Sequence, residues 1–216
     1  MKLRKYTVFA TLLVLTSTVS FCSSPFNNVK SFIKFGLKMY SIVAARVIVH
    51  ELGHALAAKL VYDTPFDIHI GVDAFAQKKT APWIQLPGFA IHSLNLWKGG
   101  YACYKAQPLV TTADKLKRIA VVVAGPIAGL VGTVIAHKIV NNDKHSVDHR
   151  YISRYVRSLM VHDTLYGFTP MMGDDSDGDN LWKVSGASDE VRNWASNCAM
   201  AVFGLWVHWN LTNGGR

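Results

Sequence analysis

His50, Glu51 and His54 form a HExxH run, and those residue types at that spacing can bring two metal ligands and a general base together. On an α-helix, residues four apart lie one above the other, so both imidazoles can converge on a single ion. Glu51 projects beside them, where its carboxylate can take a proton from a zinc-bound water and later pass it to a leaving amine. Catalytic Zn2+ usually has three protein ligands and one open position, which leaves a third ligand to find.

Elimination narrows that search. A His-x-x-Gly-x-x-His extension from His54 is absent, because Ala57 and Leu60 stand at the Gly and second His places. Completion by a downstream Glu is disfavoured, since the chain has only two glutamates, Glu51 and the distant Glu190. The third ligand is then an Asp or a His, and carboxylates gather only after Pro170, where Asp174, Asp175, Asp177 and Asp179 fall within six residues. Asp177, followed by Gly178, is the choice among them, with Asp175 the alternative. The same stretch can be read as a solvated acidic loop. A calcium loop starting at Asp175 fails, because Asn180 replaces the turn glycine and Gly186 stands where the bidentate Glu belongs. His69 and His92 read as hydrogen-bonded structural residues, and Cys22, Cys103 and Cys198 are too few and too scattered for a disulfide framework.

These residues need elements to position them. Good helix formers run from about residue 31 to 62 and stop at Asp63, Thr64 and Pro65, which places the HExxH on one long helix. That helix also carries Arg46 and Lys59, and ionisable groups in an apolar helix tend to face a bundle interior or a wet cavity. Short β-branched runs broken by Pro and Gly follow between residues 66 and 104, and predict a small sheet. Residues 119–136 are eighteen uncharged positions, with Gly125-Pro126 and small residues at 125, 129 and 132 that permit close helix packing. A weaker helix is expected over 151–168, and a Trp-rich apolar run over 195–212 reads as a last span or an interfacial helix.

Half of the 216 residues are hydrophobic and 17% are charged, an apolar balance for a soluble domain. The formal net charge is +9, with Lys and Arg at the ends of apolar stretches, as at Lys115, Lys117 and Arg118. That placement fits membrane topology signals better than a nucleic-acid surface, which would interleave basic and aromatic residues. Residues 1–26 form either a signal-like segment or a first transmembrane span, since an uncharged stretch follows a basic start. Residues 27–216 are then one membrane-embedded domain. The expected fold is mainly α, a polytopic membrane helix bundle with a small β segment between the first and second core helices.

Taken in order, these motifs resemble the site-2 protease family of intramembrane zinc metalloproteases. The resemblance covers much of residues 41–183. After the HExxH come Ile68-His69-Ile70-Gly71 and Lys98-Gly99-Gly100-Tyr101, similar to the family's β segment and Gly-Gly-Tyr element. Arg118 to Gly129, containing Ala124-Gly125-Pro126, resembles its Ala-Gly-Pro helix, and Pro170 with Asp177-Gly178 resembles its Asn-x-x-Pro and Asp-Gly motif. Gly167 stands where that motif has Asn, Ser176 replaces the Leu before the Asp, and the Pro to Asp spacing is two residues longer.

The resemblance implies a multi-pass integral membrane enzyme with Zn2+ held by His50, His54 and Asp177 and with Glu51 as the catalytic base. Its partners would be the lipid bilayer and a membrane-anchored protein substrate, with no nucleic acid. Two other readings stay open: an inactive scaffold or metal-binding protein of the same fold, and a secreted zinc peptidase.

Overall fold

A computed structural model describes residues 29–71, 81–94, 99–105, 107–141, 147–170 and 176–213. The signal-like segment at residues 1–26 lies outside them, as do Asp174 and Asp175. Helix α1 spans Val29–Tyr62 and is followed by four short strands: β1 (Phe66–Ile70), β2 (Ile84–Leu86), β3 (Phe89–Ile91) and β4 (Gly100–Tyr104). Four helices complete the chain: α2 (Thr112–Val140), α3 (Val147–Phe168), α4 (Asp177–Ser185) and α5 (Asp189–Asn213). The protein is thus mainly α, with its small sheet between the first two long helices, as the residue pattern predicts.

Local chemistry sets the helix ends. Asp63 adopts a left-handed φ of 50° and Pro65 follows, so α1 cannot continue. Thr111 and Asp114 start α2 with a capping box in which each side chain accepts from the other's backbone N–H. In the sheet, ordered β2-β3-β1-β4, β1 pairs parallel with β3 and antiparallel with β4, bringing Phe66 opposite Tyr104 and Ile70 opposite Gly100. Gly88, at φ 74°, closes the turn between β2 and β3.

Ile42, Val43 and Val47 of α1 form a core with Ile68 and Ile70 of β1, Ala136 of α2, and Ile152, Val156 and Leu159 of α3. Helices α1 and α2 lie face to face along a row of small residues. A Cβ added to Gly53 would come within 2.5 Å of the Ala124 carbonyl oxygen, and one on Gly132 within 2.9 Å of the Val49 Cβ. The small residues at 125, 129 and 132 therefore pack a helix pair, as expected for that spacing.

Among the described residues, α2 alone is long and apolar enough to cross a membrane, by length and composition. Helix α1 fails that test because it carries Arg46, Glu51, Lys59 and its histidines. The expected polytopic bundle thus narrows to a mainly helical chain with one such helix among the described residues.

Candidate metal centre

His50 and His54 lie one turn apart on α1, with ring centroids 4.9 Å from each other and their Nε2 atoms 3.2 Å apart. The Nδ1–H of His54 donates to the Val121 carbonyl at 2.8 Å, which fixes the ring with Nε2 turned towards the Asp177 carboxylate. Backbone rather than side chains forms the wall behind the rings. A Cβ on Gly125 would fall 2.1 Å from the His54 Nε2, and one on Gly129 3.1 Å from the His50 Nδ1. Any residue larger than glycine at position 125 would occupy the space of the ligand ring itself.

Asp177 reaches the same point from the first turn of α4. The acidic stretch, for which a solvated loop was the alternative to a ligand, is from Asp177 on a helix start: the Ser176 hydroxyl accepts from the Asp179 N–H at 3.1 Å, and the two aspartates sit where the helix dipole favours negative charge. Gly178 lets this turn press against the end of α3, since a Cβ there would fall 1.9 Å from the Thr169 carbonyl oxygen. Asp179, buried on the next position, pairs with Lys183 and receives Nη1 of Arg192 at 2.8 Å, which ties α4 to α5.

The Asp177 carboxylate lies 2.9 Å (Oδ2) from the His50 Nε2 and 3.3 Å (Oδ1) from the His54 Nε2. Ligand atoms bound at 2.0–2.1 Å around a tetrahedral ion stand roughly 3.3 Å apart, close to the 3.2 Å between the two Nε2 atoms, and one ligand atom from each of the three residues lies within 4.8 Å of the others. Among the described residues, they form the one group of three His, Cys, Asp or Glu side chains close enough to hold an ion. Burial pushes the Asp177 carboxyl up, but hydrogen bonds to His50 and His54 and their charges outweigh it and hold the group well below the usual carboxylate range. It is therefore ionised at neutral pH, as a candidate ligand must be.

Glu51 is buried beside this triad. Its carboxylate accepts the backbone N–H of Ala102, and its Cγ would lie 3.2 Å from a Cβ on Gly100, so β4 closes directly over it. The Gly-Gly-Tyr element at residues 99–101 thus opens the strand that covers Glu51.

Other residues the sequence singled out fall elsewhere. His69 and His92 face each other across the sheet, Nδ1 to Nε2, at 3.0 Å, and His69 stacks on Tyr101, so neither joins the triad. Gly167 packs on Pro126, and a Cβ there would fall 2.4 Å from the proline Cβ, so a larger residue at this position would require Pro126 to shift. Sequence reading singled out Arg46 but not its partner Asp163. The Arg46 guanidinium, one turn before His50, donates through Nε to the buried Asp163 carboxylate of α3 at 2.6 Å. Next to that pair, His162 stacks on Tyr166, whose ring centroid is 6.5 Å from that of His50. An isolated Arg in an apolar helix was the only signal of this link. No family model matches the chain, and no curated protein or solved structure matches it either.

Proposed function

We propose that the protein is a multi-pass intramembrane zinc metalloprotease that hydrolyses peptide bonds of membrane-anchored protein substrates. The observation that carries this reading is the convergence of His50, His54 and Asp177 with Glu51 buried beside them. Two imidazole nitrogens and a carboxylate are a donor set that suits Zn2+, which when bound would supply Lewis acidity to the scissile carbonyl and to the attacking water. Glu51 is placed to take the proton of that water and return it to the departing amine. The cover of β4 over the buried Glu51 side chain limits water around it. A purely structural metal site would have no use for Glu51.

The outer surfaces support a bilayer setting. Leu52, Leu56 and Leu60 on α1 and Ile127, Val131, Ile135 and Ile139 on α2 are exposed at four-residue intervals, so each helix turns a continuous apolar row outward. Soluble monomers rarely expose contiguous apolar surface on this scale, whereas lipid covers it without cost. Gly167 favours a second reading, an inactive metal-binding protein on the same scaffold, because the contact that an Asn would make to substrate is missing.

Glu51→Gln separates the two. The enzyme reading expects the variant purified in detergent to keep about the metal content of the wild type while losing hydrolysis of a membrane-anchored substrate by at least about 100-fold. Equal turnover in variant and wild type would refute it.

A further inference from the structure

Contacts between α1 and α2 set which parts of each helix lie at one level. The backbone of Gly125 and Gly129 faces His54 and His50, Val121 packs with Ala58 and Tyr62, and Ala136 shares a core with Val43 and Val47. The two helices are therefore antiparallel, and the uncharged residues 119–136 of α2 run beside α1 only from Tyr62 back to about Val43. Helix α1 has 34 residues and a length of about 51 Å, against a hydrocarbon layer of ~30 Å. Its first turns, up to Ile42, thus extend past the uncharged part of α2. Helix α3 starts at the same end, where the Ser153 Oγ lies 3.2 Å from the His137 Nε2 and the Asn141 side chain donates to the His149 carbonyl at 3.3 Å.

Cations gather at this end. Lys30, Lys34 and Lys38 make one stripe at four-residue spacing on α1, joined by Lys138 in the last turn of α2 and by Arg150 and Arg154 in the first turns of α3. Asp148 is the one acidic residue in the segments 29–42, 137–141 and 147–154. Among the described residues, none of Lys30, Lys34, Lys138, Arg150 and Arg154 pairs with a carboxylate. Next to the lysine stripe, Ile33 and Leu37 are each more than half exposed, whereas Phe35, Met39 and Ile42 of the same turns belong to the core.

We infer that this end of the molecule binds the anionic phospholipid headgroups of one leaflet; this rests on the membrane part of the reading above and not on proteolysis. The ammonium and guanidinium groups meet the phosphates, while Ile33 and Leu37 enter the boundary with the acyl chains. A merely solvated basic face has no use for that second stripe. Helix α1 then enters the bilayer from the anionic side, and about 18 Å of helix separates Lys38 from the metal ligand candidate His50.

Electron spin resonance on the full chain in phosphatidylcholine vesicles, doped with spin-labelled phosphatidylglycerol or spin-labelled phosphatidylcholine, tests this. The anionic label is restricted by the protein about threefold more than the neutral one at about 10 mM salt, and about equally at ~1 M, where screening is short-ranged. Replacing Lys30, Lys34 and Lys38 together by Gln removes at least about half of that preference, and Arg150→Gln with Arg154→Gln removes a further part. Lys115→Gln with Lys117→Gln, at the other end of α2, leaves most of it. Equal restriction of both labels by the wild type overturns the headgroup site. So does a preference that only the Lys115 and Lys117 substitutions remove, or binding of polyglutamate that the three α1 substitutions abolish while lipid preference is unchanged, which would assign the surface to an acidic protein. Release of the chain from the vesicles by alkaline carbonate would refute the membrane reading and the headgroup site with it, whereas a retained chain without lipid preference refutes the headgroup site alone.

Discussion

The two histidines and the aspartate meet at one point but are held there by different means. The histidine half is a matter of volume: one helix supplies both rings, and the backbone of Gly125 and Gly129 presses against them from α2. The aspartate half is a matter of polarity. A helix start more than a hundred residues later carries Asp177, fixed by the Ser176 cap and by the ion pairs of Asp179 with Lys183 and Arg192. Local sequence alone can make the first half, because a turn of helix sets its spacing. The second half exists only once α3, α4 and α5 have packed.

That contrast can be broken or sharpened experimentally. Gly125→Ala has the largest expected effect, because its Cβ takes the place of the His54 ring; zinc affinity falls by about 100-fold or more in an equilibrium chelator assay. An unchanged affinity would mean that volume does not position the histidines. Gly178→Ala comes next. It forces α4 off Thr169 and moves Asp177 while both rings stay in place, so affinity drops by roughly 10- to 100-fold and a two-histidine site persists in metal spectroscopy with Co2+. Arg192→Gln leaves Asp179 with Lys183 and costs only a few-fold in affinity, an effect that grows at low salt if polarity sets this half.

The smallest effect concerns the link from α1 to α3. The Asp163 carboxyl is pushed up by burial but brought below its ordinary range by the His162 hydrogen bond and by Arg46. A depressed value means that the pair adds stability above the unfolded carboxylate's pKa, near 3.9, and loses it as pH falls through the folded value. Thermal unfolding should therefore shift down between about pH 4 and lower values in the wild type and less steeply in Asp163→Asn. Parallel acid profiles would show that the histidine half needs no polar link to α3.

Much of the frame was legible because local chemistry writes it. The α1 helix and its end at Asp63-Thr64-Pro65, the short strands between residues 66 and 104, and the apolar helix around residues 119–136 follow from periodicity, breakers and charge. Asp177 was legible only by elimination, and the helix that it opens was not. Ser176 with aspartates at 177 and 179 is a helix N-terminus signature, but in an acidic cluster the same residues also read as a loop. Arg46 with Asp163, and Gly167 under Pro126, depend on residues brought together across 117 and 41 positions, and no local pattern encodes such partners.

Helix α2 has almost the same polarity all round, yet its two sides differ in bulk. Gly125, Gly129, Gly132 and Ala136 make one side nearly flat, while Ile127, Val131, Ile135 and Ile139 make the other thick. In an apolar solvent, hydrophobicity gives no torque to orient such a rod, and its rotation about its own axis is then set by shape alone. The candidate metal site then takes its angular precision from that asymmetry of size, so exchanging a thick residue for a thin one on the far side would leave hydropathy intact and still loosen the angle at which the flat side meets the rings.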